Sequence, residues 1–362
     1  MAQYAKFSYI NPQWERFVQA QPVMRNFRGS DDHIIQRRAA FQKLAAEGPQ
    51  IRKIPGNDEV DVKDFHIPAR DGYEILVRSY TPRRPAESGS AAAYPVFVYY
   101  HGGGYTFGNI ETGDDNCRLL SARNGLAVLN VDYRLAPKYV FPKGFEDAHD
   151  ALRWVTKNAP SFGGDLSKGF LVGGVSAGGN FAGALAYVAR DEGLQPPITG
   201  LLLSIPCCLM PQAFHLLPQY KDELLSIEQN KDSDMLDVRS YKQLIEDICQ
   251  APPDDPRISF LLNPDHSGLP TRAYFQIAGL DPIRDEALLF AKLLREQSNA
   301  ETKIDLYDGL PHGFWRFQEL PAAQRWHIDL YEGTKFLLEG GKGGFDVKGT
   351  ENGLNEYLSG VI

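Results

Sequence analysis

Phe170-Leu171-Val172-Gly173-Gly174-Val175-Ser176-Ala177-Gly178-Gly179-Asn180-Phe181 runs from an apolar strand pattern straight into small, helix-forming residues. Between them lies Gly-x-Ser-x-Gly, residues 174–178, which predicts a sharp strand-to-helix turn with the hydroxyl of Ser176 projecting from it. Gly174 and Gly178 are needed because side chains there would collide inside so tight a turn. The helix that follows supplies backbone N–H groups and the positive end of its dipole beside the serine. The pentapeptide alone is moderate evidence, since a chain with 34 glycines can match it by chance. Its weight comes from what surrounds it.

Outward from this turn, apolar strands alternate with helical stretches. Strands are predicted at 94–100, 126–131, 170–174, 198–205, 273–278 and 302–307, several of them nearly continuous Val, Leu, Ile and Phe runs, as buried parallel strands must be. Helices are predicted between them at 116–124, 141–158, 177–191, 283–297 and 322–338. Ahead of these, 60–67 and 73–80 read as a hairpin around Asp71-Gly72. The sum is an α/β fold with a mainly parallel eight-stranded sheet flanked by helices. Residues 1–56 are amphipathic and helical: Asn11-Pro12 starts a helix carrying Trp14, Phe17 and Val18, and Ser30 caps a second with Ile34, Ile35, Ala39, Phe41 and Leu44 as its stripe. Residues 57–339 form the main domain, and within it 208–270 is too long for a simple crossover and reads as a lid or binding insertion. The glycine-rich stretch at 340–344 begins a flexible or partner-packed tail, 340–362.

Three further elements fall at the carboxyl ends of predicted strands, where open α/β sheets bind ligands. His101-Gly102-Gly103-Gly104 follows the strand ending at Tyr100, and its glycines leave backbone N–H groups uncovered. Gly103, Gly104 and the N–H of Ala177 form a cradle for an oxyanion, each donor worth about 3–4 kcal/mol in the transition state. His101 and Gly102 shape that loop. Asp281 follows the strand ending at Ala278, with Asp285 and Glu286 as rival acids one turn on. His312, in Gly309-Leu310-Pro311-His312-Gly313-Phe314-Trp315, follows the strand ending at Tyr307 and suits a base reaching over the sheet. Ser176, His312 and Asp281 thus supply nucleophile, base and orienting acid. Tyr105, Phe107, Phe214, Leu216, Leu217, Phe314 and Trp315 are candidate substrate-binding walls, each as well suited to plain core.

The formal charge is −8 with no long basic run, which argues against a nucleic-acid partner. No window reaches a transmembrane length, and residues 1–9 have no apolar core of a signal peptide. Four cysteines in 362 residues are too few for a disulfide scaffold, and the chain is expected to be cytoplasmic. The remaining histidines (His33, His66, His149, His215, His266, His327) show no metal-ligand spacing, so no metal and no cofactor is expected.

Five separated motifs carry a family resemblance. The glycine run at 101–104, Asp132-Tyr133-Arg134-Leu135-Ala136-Pro137, Ser176-Ala177-Gly178-Gly179-Asn180, Asp281-Pro282-Ile283-Arg284-Asp285-Glu286 and His312-Gly313-Phe314 resemble, in order, the hormone-sensitive lipase family of carboxylesterases. The resemblance spans about 61–338. It implies an α/β-hydrolase fold, the Ser176–His312–Asp281 triad, a helical cap built from the amino-terminal segment and a second stretch, and no cofactor. It implies structural roles near the active-site loops for Glu146 and Asp147, and a possible homodimer through the last strand and helix. The chain departs from the family in two places, with Val175 where an acid usually precedes the serine and Lys138 where Glu usually follows Leu-Ala-Pro. The expected activity is a serine carboxylesterase on a small-molecule ester with a small to medium acyl group. The alternatives are a biosynthetic tailoring enzyme that uses the same triad for acyl transfer, lactonisation or cyclisation, a peptidase, and a non-catalytic small-molecule receptor. The last is disfavoured because the receptors of this family lack the histidine that stands here at 312.

Overall fold

The computed structural model describes residues 2–21, 34–49, 51–83 and 93–348. One nine-stranded sheet organises them. β1 (Val60–Pro68) and β2 (Glu74–Pro82) are the expected antiparallel hairpin, with Val60 opposite Pro82. β2 pairs antiparallel with β4 (Ala127–Val131), and from there the sheet is parallel through β3 (Val96–Tyr100), β5 (Phe170–Val175), β6 (Gly200–Ser204), β7 (Arg272–Ala278) and β8 (Glu301–Tyr307). Every residue of β3, β4 and β6 is buried, as a parallel strand covered on both faces requires.

The helices between the strands build two cores, one on each face. Phe181, Ala182 and Leu185 of the helix Ala177–Asp191 pack with Val155 and Leu152 of the helix Lys143–Asn158 on one side. On the other, Trp326 and Phe336 of the helix Pro321–Glu339 pack with Tyr274 and Tyr307 from the sheet. Trp315 lies flat on Trp326, with ring centroids 4.5 Å apart. Each helix starts within a few residues of its expected position.

The sheet has one strand more than the eight expected. Gly344–Lys348, read from its glycines as the start of a loose tail, is β9, paired parallel with β8. A cation ties it to the fold. Lys348 Nζ lies 3.1 Å from Asp305 and 3.6 Å from Asp329, both fully buried carboxylates. Unpaired, either charge would be costly inside the fold. Residues 349–362 lie outside the described residues.

The amino-terminal helix forms as expected, Pro12–Ala20, with Asn11 Oδ1 accepting from Gln13 N–H and Trp14, Phe17 and Val18 buried. The second helix is Ile34–Glu47; Ser30, its expected cap, lies outside the described residues. Ala39 is exposed and Leu44 half-buried, so the stripe expected there is only partly used. Between β6 and β7 the chain makes short helical turns, among them Ser226–Gln229 and Val238–Gln243, the latter continuing through a π-helical turn to Cys249. This excursion is joined to the amino terminus by Trp14 Nε1, which donates to Asp234 at 2.7 Å. Among the described residues no helix is long and apolar enough to cross a membrane.

Lys348→Met should therefore destabilise the fold by about 3 kcal/mol in urea unfolding, because it leaves buried carboxylates short of a countercharge. Val347→Thr, at an exposed position on the same strand, should cost about 0.5 kcal/mol or less. Equal effects would mean that Lys348 does not neutralise the buried acids.

Candidate active site

Three loops at the carboxyl edge of the sheet meet at one point. β5 ends at Val175, a helix begins at Ala177, and Ser176 between them has φ 53° and ψ −114°. That conformation is strained for a side-chain-bearing residue and persists because the surroundings leave no alternative. A Cβ on Gly178 would lie 2.0 Å from the Tyr100 carbonyl oxygen, and one on Gly174 would lie 2.3 Å from the same atom. The turn is pinned further by Ser176 N–H donating to Ser204 O at 2.8 Å. Ser176 Oγ is 3.0 Å from His312 Nε2, and His312 Nδ1 is 2.7 Å from Asp281 Oδ2. A carboxylate oxygen takes only a donor, so Nδ1 carries the proton and Nε2 is left to accept from the serine.

The acid loop is held from outside the sheet. Asn230 Nδ2 donates to Asp281 O at 2.8 Å and Ser233 Oγ to Leu280 O at 2.8 Å, both from the excursion between β6 and β7. The rival acids point elsewhere. Asp285 accepts from the Leu225 and Ser226 N–H groups, and Glu286 from Cys208 N–H at 2.6 Å. Burial pushes the Glu286 carboxyl well above the usual range. These two residues anchor the excursion rather than the histidine.

Gly103 and Gly104 have φ of 136° and 59°, and a Cβ on Gly103 would lie 2.0 Å from the Phe107 carbonyl oxygen. Only glycine fits that close a return of the chain. His101 is fully buried beneath the loop, stacked on Tyr133 at 4.2 Å, with Tyr133 OH donating to His101 O at 2.6 Å. The Tyr133 turn is in turn fixed by Asp147, which is fully buried and receives Arg134 N–H and its guanidinium at 2.7–3.1 Å. Asp147 therefore acts on the glycine loop through Arg134 and Tyr133. Glu146 reaches this chain less directly: it pairs with Lys143 Nζ at 3.0 Å, and Lys143 and Arg134 share Asp71, at 3.0 and 2.9 Å.

A cavity of about 70 Å³ opens over the serine, lined by Gly102, Gly103, Gly104, Phe107, Val175, Ser176, Ile205, Met235, His312, Gly313, Trp315 and Arg316. Of the aromatic and aliphatic walls expected, Phe107 and Trp315 are there. The others are not. Tyr105 turns its ring to Phe181, 5.4 Å away, and Phe314 is fully buried against Tyr307. Phe214 and Leu216 lie on a 3-10 turn, Pro211–Leu216, that packs Phe214 on the core and leaves Leu216 exposed; Leu217 after it is buried. The turn closes the core beneath the excursion, which takes these side chains away from the serine. Met235, Ile205 and Arg316 were not expected. Arg316 follows Trp315 directly, and its position next to a wall residue is the one local signal for it.

Known proteins resemble the chain in sequence and in fold. A family model described as alpha/beta hydrolase fold matches residues 97–316. The chain is 38% identical over 298 residues to the carboxylic ester hydrolase LipN of Mycobacterium tuberculosis, covering 80% of this chain and 72% of that protein. Among solved structures it resembles vibralactone cyclase, with TM-score 0.77, 30% identity, and coverage of 92% and 96% of the two chains. A hyperthermophilic esterase from Pyrobaculum calidifontis gives TM-score 0.70, 29% identity and coverage of 91% and 98%.

Burial holds the His101 imidazole down from 6.5 to about 4. The unfolded chain then takes up this proton first as pH falls, so the stability tied to neutral His101 is complete above pH 6.5 and lost down to pH 4. The loss amounts to about 3 kcal/mol. Unfolding free energies measured between pH 7 and 4 should fall less steeply in His101→Asn than in the parent protein. Parallel curves would remove His101 from the acid sensitivity of the fold.

Proposed function

The chain belongs to the α/β-hydrolase family, and we propose that it is a serine carboxylesterase working through an acyl-enzyme on Ser176. The observation that carries this reading is the unbroken line Asp281–His312–Ser176, 2.7 and 3.0 Å, ending in a cavity walled by glycine backbone. His312 Nε2 takes the Ser176 proton as Oγ attacks the ester carbonyl, and Asp281 holds the imidazole in the required tautomer and stabilises its cation. Gly103, Gly104 and Ala177 donate their N–H groups to the oxygen that becomes negative. His312 then gives its proton to the leaving alcohol. A water, deprotonated by the same nitrogen, releases the acid and restores the serine. A cavity of about 70 Å³ beside the serine favours a small acyl group in that space. The four cysteines are free and buried, which supports a reducing compartment such as the cytosol.

The likeness to vibralactone cyclase supports a second reading, in which the same triad serves acyl transfer, lactonisation or cyclisation in biosynthesis. The two readings differ only in what accepts the acyl group, water or a hydroxyl of the substrate itself.

A p-nitrophenyl acyl series from acetate to octanoate should show turnover that peaks at a short chain. Ser176→Ala should lower kcat by about 10⁴–10⁶-fold and Asp281→Asn by about 10⁴-fold, with circular dichroism unchanged. An organophosphate that labels Ser176 in a protein with negligible ester turnover would favour the biosynthetic reading. Turnover that survives in Ser176→Ala would overturn both.

A further inference from the structure

Beside the cavity over Ser176 lies a second, larger one of about 470 Å³. The two share Gly102, Val175, Trp315 and Arg316 in their walls, so they are adjacent compartments. The small compartment holds the reacting atoms. The larger one is polar, and Arg52, Glu111, Asp115 and His327 also border it.

The charges around it do not balance locally. Arg52 is matched by Asp115 at 3.4 Å, and Glu111 by Arg78 at 2.9 Å. His327 is half-buried and adjoins Arg52 through Nδ1 at 3.0 Å, and desolvation together with the neighbouring guanidinium holds its pKa well down. Arg316 is different. It is half-buried on the boundary between the compartments, and among the described residues no carboxylate pairs with it. The residues that share both walls with it, Trp315, Val175 and Gly102, bring no negative charge. Burial pulls its guanidinium below its ordinary range, opposed only by the Tyr99 phenol. A fixed cation left without a countercharge in a walled space is unfavourable until an anion reaches it. The guanidinium fork is matched in shape to a carboxylate.

On the serine-esterase reading above, we propose that Arg316 recognises a carboxylate on the substrate, so that this enzyme prefers esters bearing one negative charge near the scissile bond. A monoanion fits better than a phosphate dianion. Among the described residues that border the space only Arg316 lacks a countercharge, which matches one negative charge and not two. Arg316 is a specificity residue here, with no part in the bond changes at Ser176.

Two matched pairs of substrates test this on the full chain. The acyl side is probed with mono(p-nitrophenyl) glutarate against its methyl ester, and the alcohol side with 4-acetoxybenzoate against its methyl ester. One pair should show kcat/KM at least tenfold higher for the acid, and that ratio should fall at least tenfold in Arg316→Met and partly recover in Arg316→Lys. A ratio near one in both pairs, with Ser176-dependent turnover of the neutral esters, overturns the proposal and leaves the esterase reading standing. A second readout needs no turnover. In Ser176→Ala, 10 mM monomethyl glutarate or 4-acetoxybenzoate should raise Tm by about 2 °C or more over the corresponding methyl ester, and the double variant with Arg316→Met should lose that difference. Equal shifts for acid and ester overturn the proposal even if no ester is turned over, while absent labelling of Ser176 by a phosphonate counts against the esterase reading alone.

Discussion

The close approach of two backbones governs this molecule. β3 and the helix after Ser176 meet so tightly at Tyr100 that neither Gly174 nor Gly178 has room for a methyl group. That contact forces Ser176 into its strained conformation and aims Oγ away from the sheet, toward His312. The strain is sustained by everything packed around it, from the buried parallel strands to the Ser176–Ser204 backbone hydrogen bond. A looser sheet would let the turn relax, and the serine would leave the line of the histidine.

The remaining parts are tied to that point through single polar contacts across long stretches of chain. Asn230 and Ser233 hold the Asp281 loop, Asp285 and Glu286 hold the excursion that carries them, and Trp14 fastens the amino-terminal helix to it. The excursion therefore both supplies Met235 to the cavity wall and secures the acid that orients the base. Changes in substrate preference through this segment are coupled to catalytic geometry, since one set of hydrogen bonds serves both.

How far the sequence foretells this depends on the range of the physics involved. The turn at Ser176, the glycine loop and the strand-end positions of Asp281 and His312 obey short-range steric rules and could be read residue by residue. The choice of Asp281 over Asp285 and Glu286 rested on its place before the helix, and the backbone N–H groups that claim the other two become visible only in three dimensions. Of the seven cavity walls expected, Phe107 and Trp315 line the space and the other five do not. Phe214, Leu216 and Leu217 were named for their hydrophobicity, which cannot tell a wall from a core, and the path of the excursion decides that question. β9 was legible and was passed over. Phe345-Asp346-Val347-Lys348 alternates apolar and polar, the period of a half-exposed strand, behind a run of glycines that masked it.

That last strand also bears on how the molecule is made. A ribosome delivers the chain from the amino terminus, and Asp305 and Asp329 emerge well before Lys348. Until that lysine arrives, two carboxylates destined for the interior have, among the described residues, Arg325, Lys303 and tyrosine hydroxyls to oppose their charge. The edge of the sheet at β8 stays open over the same interval, an unpaired row of backbone groups available to any other chain. Translation to Lys348 therefore does two things at once, covering β8 with a shorter five-residue edge strand and neutralising an interior, and a nascent chain halted just short of it would hold an assembled triad on a sheet whose longer β8 edge is still bare.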